Sequence, residues 1–276
     1  MIISCRGRHL DTSNGTLVMG ILNVTPDSFS DGGRNFRTSD ALFAAEKMVR
    51  EGADVIDVGG ESTRPGYTEI SVDEELSRII PVIKGITENL DVTVSVDTYK
   101  SEVAAGALDA GCHIINDIYG LQYDPKMASV VAENNAAAVL MFNCRRNGEC
   151  LRENIIDRAL RELSGSVDRA IGAGIPEDAL ILDPGIGFGT SRSQDIELIS
   201  SLDRLSFGGR FPVLLACSRK RVAADIAGRD TIPEERDDVS IGLGLAGVSK
   251  GASMLRVHNV RAARDVLLGY EAALGI

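Results

Sequence analysis

The strongest constraint on the fold is a unit that recurs down the chain. It consists of a short apolar run, a polar residue at the end of the run, a loop, and then a stretch with helical spacing. The runs lie at 17–22, 54–58, 92–96, 113–115, 137–142, 179–182, 213–217 and 253–255. They are apolar on both faces, the pattern of strands covered on both sides in a parallel sheet. Helices are predicted over 39–50, from 71 onward, and over 100–110, 127–134, 153–173, 195–205, 239–250 and 260–274. Ser39 or Asp40 caps the first of these, Leu42, Phe43, Ala45 and Met48 repeat at helical spacing, and Gly52 ends it. Ser71 with Glu74 reads as a capping box. About eight such units without a long low-complexity linker predict a single α/β domain over 1–276, a (β/α)8 TIM barrel. An open doubly wound sheet shares the alternation and is the alternative. Ser13-Asn14-Gly15 predicts a short N-terminal β-hairpin ahead of the barrel.

Composition bounds the partners. The 276 residues are 44% hydrophobic, enough for one large core. The net charge is −11, from 29 Lys+Arg against 40 Asp+Glu, with no basic run, which argues against nucleic acid or an anionic membrane as partner. No apolar run reaches membrane-spanning length, and the first residues lack the apolar segment and cleavage site of a signal peptide, so a cytoplasmic protein is expected. The five cysteines form no C-x-x-C. Cys112 and Cys217 sit in apolar runs as core residues. Cys144 and Cys150 offer a metal or redox pair, but without a second cluster free thiols are the simpler expectation.

In a parallel barrel the C-terminal ends of the strands share one rim, where the chemistry collects. The ends read Asn23; Asp57 with Glu61; Asp97; Asn116 with Asp117; Asn143; Asp183; Ser218 with Lys220; and Arg256 with His258. Ionisable groups beside apolar core cost desolvation energy and need a reason. Asp57 and Asp117 have an alternative role, bonding neighbouring backbone. Arg64, Arg219, Lys220, Arg256 and His258, with Asn23, suit a phosphate or pyrophosphate. Asp97, Asn116 and Asp183 converge from three strands and suit a flat, nitrogen-rich heterocycle read along its edges. A Mg²⁺ site of Asp and Asn is the competitor. The three histidines form no transition-metal cluster, and no Ser-His-Asp spacing is evident. Gly185-Ile186-Gly187-Phe188-Gly189 has the wrong spacing for a dinucleotide loop.

Two long stretches then carry a resemblance. One runs Gly20-Ile21-Leu22-Asn23-Val24-Thr25-Pro26-Asp27-Ser28-Phe29-Ser30-Asp31-Gly32-Gly33. The other runs Gly52-Ala53-Asp54-Val55-Ile56-Asp57-Val58-Gly59-Gly60-Glu61-Ser62-Thr63-Arg64-Pro65-Gly66. They resemble the two signature segments of bacterial dihydropteroate synthases. Ser95-Val96-Asp97-Thr98, Ile115-Asn116-Asp117, Leu182-Asp183-Pro184-Gly185, Ser218-Arg219-Lys220 and Arg256-Val257-His258 follow in family order, so the resemblance covers almost the whole chain.

The resemblance implies a TIM barrel, usually a homodimer, that joins 6-hydroxymethyl-7,8-dihydropterin pyrophosphate to p-aminobenzoate with Mg²⁺ and is a target of sulfonamides. It implies a pterin pocket of Asp97, Asn116, Met141, Asp183, Lys220 and Arg256. It implies a pyrophosphate site of Asn23, Arg64, Arg256 and His258, with Asn23 also touching the metal. The p-aminobenzoate site would be Ser62, Thr63, Arg64, Pro65, Phe188, Lys220 and Arg221. Asp97, Lys220, Arg256 and His258 would carry the chemistry. The chain departs from many members at Phe142, where they have His, and at Thr190, where they have a basic residue. A pterin-binding paralogue without synthase activity and a phosphate-binding barrel isomerase are the competing readings.

Overall fold

The computed structural model describes residues 1–25, 34–62, 68–145 and 153–275. Two strands, β1 (Ile2–Cys5) and β2 (Arg8–Asp11), form an antiparallel hairpin. Its turn is Arg6-Gly7, both at positive φ, and not the predicted Ser13-Asn14-Gly15. The latter segment is instead gathered by Asp11, whose carboxylate accepts from Ser13 N and Oγ and from Asn14 Nδ2. Ile3, Cys5 and Leu10 are buried. Arg6 donates to the Cys112 carbonyl at 3.1 Å and Ser4 to Asp178 at 2.8 Å, so the hairpin lies over the N-terminal ends of the barrel strands.

The barrel strands are β3 (Leu17–Asn23), β4 (Val55–Gly59), β5 (Thr93–Asp97), β6 (Ile114–Asp117), β7 (Ala137–Met141), β8 (Leu180–Asp183), β9 (Leu214–Leu215) and β10 (Met254–Val257). All pair in parallel, in the order β8-β7-β6-β5-β4-β3-β10-β9. A bridge between Leu182 and Val213, with Leu182 N–H donating to the Pro212 carbonyl at 2.9 Å, brings β8 back to the segment ahead of β9. Neighbours therefore follow chain order around a nearly closed ring, which excludes the doubly wound alternative, whose order reverses at a switch point.

Between the strands run α1 (Arg34–Arg50), α2 (Val72–Asn89), α3 (Ser101–Asp109), α4 (Met127–Glu133), α5 (Ile155–Gly172), α6 (Arg192–Ser200), α7 (Leu202–Leu205), α8 (Arg221–Ala227), α9 (Asp237–Val248) and α10 (Val260–Leu274). The helix predicted over 195–205 is two, broken at Ser201, and both pieces turn leucines inward: Leu198, then Leu202 and Leu205. Ser71 caps α2 by accepting from Glu74 N–H, but the Glu74 carboxylate pairs with Arg78 rather than closing a capping box. Among the described residues no helix is long and apolar enough to cross a membrane. Cys5, Cys112 and Cys217 are free and buried, whereas Cys144 is disulfide-bonded, which corrects the expectation of free thiols at that position.

Candidate active site

Strand direction places one group of side chains at the C-terminal mouth. Asp97, the last residue of β5, pairs in register with Gly59 and Asn116. Two positions deeper on β4, Asp57 is fully buried. Its Oδ2 accepts from Arg256 Nε at 2.6 Å and from Asn116 Nδ2 at 3.2 Å, and Arg256 Nη2 reaches Asp97 Oδ2 at 2.9 Å. One guanidinium from β10 thus spans two carboxylates from β4 and β5. Asp57 is in the site, bonding side chains and not backbone. Asp117, by contrast, accepts from Tyr119 and Leu121 N–H, both at 2.8 Å, and belongs to the turn after β6. Asp57 Oδ1, Ser95 Oγ and Asp97 Oδ1 are buried without a hydrogen-bond partner among the described residues. Buried polar atoms are rarely left so without a function.

The opposite wall carries Asp183, the last residue of β8, beside Met141 of β7. Asp183 Oδ1 accepts from Gly185 N–H at 2.7 Å. Gly185 has φ +70°, and a Cβ there would meet the Phe142 carbonyl oxygen at 1.7 Å, so this tight turn admits only glycine. Lys220 Nζ donates to the Ile186 carbonyl at 2.8 Å and sits 4.8 Å from the centre of the Phe188 ring, with the Arg145 guanidinium 5.0 Å from the same ring. The two family departures also resolve. Phe142 is buried in the core. The Thr190 hydroxyl bonds Asp195, which also accepts from Gly187 N–H at 2.9 Å.

Between these walls, Ser218 Oγ lies 2.9 Å from His258 Nδ1 and accepts from His258 backbone N–H at 3.2 Å. The sequence showed no Ser-His pairing, because the two residues are 40 positions apart. Arg219 does not join the predicted phosphate cluster freely. Its guanidinium is paired with Asp237, Nε to Oδ1 at 2.7 Å and Nη2 to Oδ2 at 2.9 Å. Asn23 ends β3 at the mouth, with its Oδ1 beside Gly59.

The mouth encloses about 900 Å³. Arg78, Arg145, Lys220, Arg221, Arg236 and Arg256 line it, with Arg219, against the carboxylates of Glu61, Asp97 and Asp183. On an acidic chain this concentration of positive charge selects an anionic ligand. Ser62 and Thr68 flank the opening on the β4 side. Thr63, Arg64 and Pro65 lie outside the described residues. A buried cluster holds this side: Glu61 Oε1 accepts from Tyr99 OH at 2.6 Å, and Glu61 Oε2 accepts from Lys100 Nζ at 2.7 Å and Ile70 N–H at 2.9 Å. Lys100 also donates to the Ile70 carbonyl and to Glu75 Oε2, at 2.7 and 2.8 Å.

Burial dominates the protonation of these groups. It pushes Asp97 up to about 7; Arg256 pulls the other way, while Asp57 and Glu75 add to the rise. Burial raises Asp183 against the pull of Lys220, and lowers Lys220 against the pull of Asp183. Burial also works against the Arg256 charge, but Asp57 and Asp97 more than offset it, so the guanidinium is held above its usual range. The group is a chain of opposite charges whose inner carboxylates, Asp57, Asp97 and Asp183, are held at the base of the mouth, with Asp57 Oδ1 and Asp97 Oδ1 lacking a partner among the described residues.

Of the site residues named above, the structure brings Asn23, Ser62, Asp97, Asn116, Met141, Asp183, Phe188, Lys220, Arg221, Arg256 and His258 to one mouth. It settles Asp57, one of the strand ends read from the sequence, as a member of the site, and adds Arg145 and Asp237. A charged residue in the middle of the apolar run at 54–58 was the available signal for Asp57. Neither Arg145 nor Asp237 carries a sequence signal distinguishable from an ordinary surface charge.

Residues 19–258 match the family model described as pterin binding enzyme. The chain is 47% identical over 260 residues to the dihydropteroate synthase of Bacillus subtilis (strain 168), covering 94% of this chain and 89% of that one. The Xanthomonas albilineans dihydropteroate synthase solved with 4-aminobenzoic acid superposes with a TM-score of 0.93 at 39% identity, covering 100% of this chain and 98% of that one. The Xanthomonas albilineans enzyme in complex with 7,8-dihydropteroate gives 0.90 at 36% identity, with both chains covered completely. The walls, the mouth and these likenesses agree, and the chain belongs to the pterin-binding enzyme family, among its dihydropteroate synthases.

Proposed function

We propose that this chain, as one barrel domain, is a transferase that condenses 6-hydroxymethyl-7,8-dihydropterin pyrophosphate with p-aminobenzoate, releasing pyrophosphate and 7,8-dihydropteroate. The observation that carries the proposal is Asp97, whose Oδ1 is buried with no hydrogen-bond partner among the described residues, in a mouth lined also by Asn116, Asp183 and several cationic side chains. An acceptor buried in this way calls for an N–H donor from a ligand, and the surrounding charge calls for an anion on the same ligand.

Asp97, Asn116, Asp183 and Lys220 take the edges of the pterin, with Met141 and Arg256 against its faces. Asn23, Arg64, Arg256 and His258 take the pyrophosphate. Ser218 Oγ accepts from the His258 backbone N–H and shares a second hydrogen bond with His258 Nδ1, which fixes the imidazole beside the mouth. A ring N–H of His258 suits a phosphate oxygen. Ser62, Thr63, Arg64, Pro65, Phe188, Lys220 and Arg221 form the p-aminobenzoate side. As the C–O bond to pyrophosphate breaks, Arg256 and His258 hold the leaving anion and the Asp97 carboxylate favours the positive charge left on the pterin methylene. The aniline nitrogen forms the new C–N bond and releases its proton, with no protein nucleophile. Sulfonamides compete for the same side.

The described residues contain no group of three His, Cys, Asp or Glu able to hold a metal. The amide oxygen of Asn23 fits an ion whose other ligands are pyrophosphate oxygens and water, as Mg²⁺ prefers. When bound, Mg²⁺ neutralises charge on the leaving pyrophosphate. A homodimer is the second part of the proposal. After Asp238, α9 carries no charged residue and leaves Gly242 and Ala246 exposed, next to α10 with its exposed Leu268. A second copy would cover that face. The three free buried thiols support a cytoplasmic location, and the Cys144 disulfide pulls the other way.

Turnover of dihydropterin pyrophosphate with p-aminobenzoate and Mg²⁺, followed by dihydropteroate formation, tests the activity. Pterin binding without any product would instead establish the non-catalytic paralogue. Sedimentation of the purified chain tests the dimer.

A further inference from the structure

The cationic side of the mouth contains a residue that is oddly held. Arg219 follows Ser218 and precedes Lys220, and its backbone sits at φ +58°, a left-handed conformation unusual for a bulky side chain. Such geometry persists only where surrounding bonds over-determine it. At Arg219 every polar group is tied to the start of α9 or the turn before it. Its N–H donates to Ser240 Oγ at 2.9 Å, and that hydroxyl in turn donates to the Arg236 carbonyl at 2.7 Å. Its carbonyl accepts from Arg236 Nη1 at 3.1 Å. Its guanidinium makes the two-pronged pair with Asp237 and a 3.3 Å contact to Glu234 Oε1.

Asp237 has a second arm. Its Oδ2 accepts from Asn259 Nδ2 at 3.3 Å, and Asn259 caps α10 by accepting from Ala262 N–H at 3.1 Å. Asn259 follows His258 directly. One carboxylate at the start of α9 therefore bonds the residue between Ser218 and Lys220 and the residue after His258. Two of those flanking residues, Ser218 and His258, are joined directly by a hydrogen bond at the ends of neighbouring strands.

We propose that Asp237 is a positioning residue. It braces the loop after β9 against the turn after β10, and Arg219 is the arm of that brace and not an anion ligand. The proposal rests on the function proposed above only for what the two loops bind. The Arg219 guanidinium has all three nitrogens on carboxylates, Nε and Nη2 on Asp237 and Nη1 on Glu234, and so has little left to offer an anion, whereas Arg256 meets Asp57 and Asp97 through Nε and Nη2. A loop with a two-residue strand behind it needs side-chain bonds to keep its place.

The test uses the full chain as wild type, Arg219→Ala, Asp237→Asn and the double variant. Hydrogen–deuterium exchange is read first, because it needs no ligand. Asp237→Asn should speed exchange several-fold in peptides covering both 216–222 and 256–260. Unchanged exchange in either segment would overturn the brace, whatever the activity of the protein. Affinity for inorganic pyrophosphate with Mg²⁺ is read next, with free hydroxymethyl-pterin affinity as the check on folding. Each single variant should weaken pyrophosphate roughly 5- to 20-fold, and the double variant should be no weaker than either, as for two residues acting through one pair. A much larger loss for Arg219→Ala than for Asp237→Asn, or losses that multiply, would make Arg219 a direct ligand and sink the proposal. If Arg219→Ala does not fold, Arg219→Lys replaces it. That variant keeps the charge and loses the fork. As a brace it should fare as badly as Asp237→Asn, and near-wild-type pyrophosphate affinity would overturn the assignment. A wild type that turns over no substrate would remove the proposed function and leave the exchange result standing.

Discussion

The two sides of the mouth are built differently. On the arc from β4 round to β8, which spans both carboxylate walls, Asp57, Asp97, Asn116 and Asp183 sit on β4, β5, β6 and β8, inside the hydrogen-bonded ladder. Their backbones are fixed by the sheet, so what their side chains add is charge and hydrogen bonding. On the other side, β9 is only two residues long, and the functional residues lie beyond it on a loop. There the chain is held by side chains from distant elements: Asp237, Ser240 and Arg236 on Arg219, and Ser218 on His258. Residues on a ladder keep their place after substitution and lose their chemistry. Residues on a braced loop lose their place when a remote partner is changed.

The largest effect that would break this comparison concerns Asp57. Asp57→Ala leaves the buried Arg256 guanidinium with Asp97 alone, and breaking a buried pair costs about 3–5 kcal/mol. Urea denaturation should show a loss of that size. A loss under about 1 kcal/mol, within the range of ordinary surface substitutions, would mean that the ladder side does not depend on its charges. Next comes Asp183→Ala. Removing a charge-assisted acceptor in a dry site should cost about 2–4 kcal/mol in pterin affinity while the fold is kept. Calorimetry giving wild-type affinity would exclude Asp183 from the pterin pocket.

The third effect is on pH. Burial raises Asp97 to about 7 in the folded chain, from an ordinary 3.8. Between those values the folded state holds the proton and the unfolded state does not. The stability this contributes is complete below the ordinary value and is lost as pH rises through about 7. Activity runs the other way if the carboxylate is the working form, with kcat/KM climbing about tenfold per pH unit below 7, which is about 1.4 kcal/mol per unit. Asp97→Asn should flatten both profiles; an unchanged acid limb would assign it to another group. The smallest effect is Tyr99→Phe, which removes one hydrogen bond to Glu61, worth about 1 kcal/mol. It should raise the KM for p-aminobenzoate and leave pterin affinity alone. Equal shifts in both would show that the Glu61 cluster supports the whole barrel and not the β4 side of the mouth.

Much of this protein is legible in its sequence. Local chemistry decides the strands, because apolar runs closed by Asn23, Asp97 and Asp183 can only be buried strands with polar ends. The alternation of strand and helix then narrows the architecture to a few folds, and the two long family segments select one. What the sequence left open is what depends on pairing across the ring. The doubly wound alternative falls only when β8 bridges back to the segment before β9. The hairpin turns at Arg6-Gly7 because Ile3, Cys5 and Leu10 must face the barrel floor, a demand that outweighs the stronger local turn signal at Asn14-Gly15. Asp57 and Asp117 look alike in sequence, each a carboxylate within or at the end of an apolar strand, and tertiary structure separates them. Asp57 points inward, where Arg256 reaches it from 199 residues away, and Asp117 turns back to its own backbone. A charge's partner is set by which strands the barrel makes neighbours, and that information lies in the closed ring and not in any one stretch of chain.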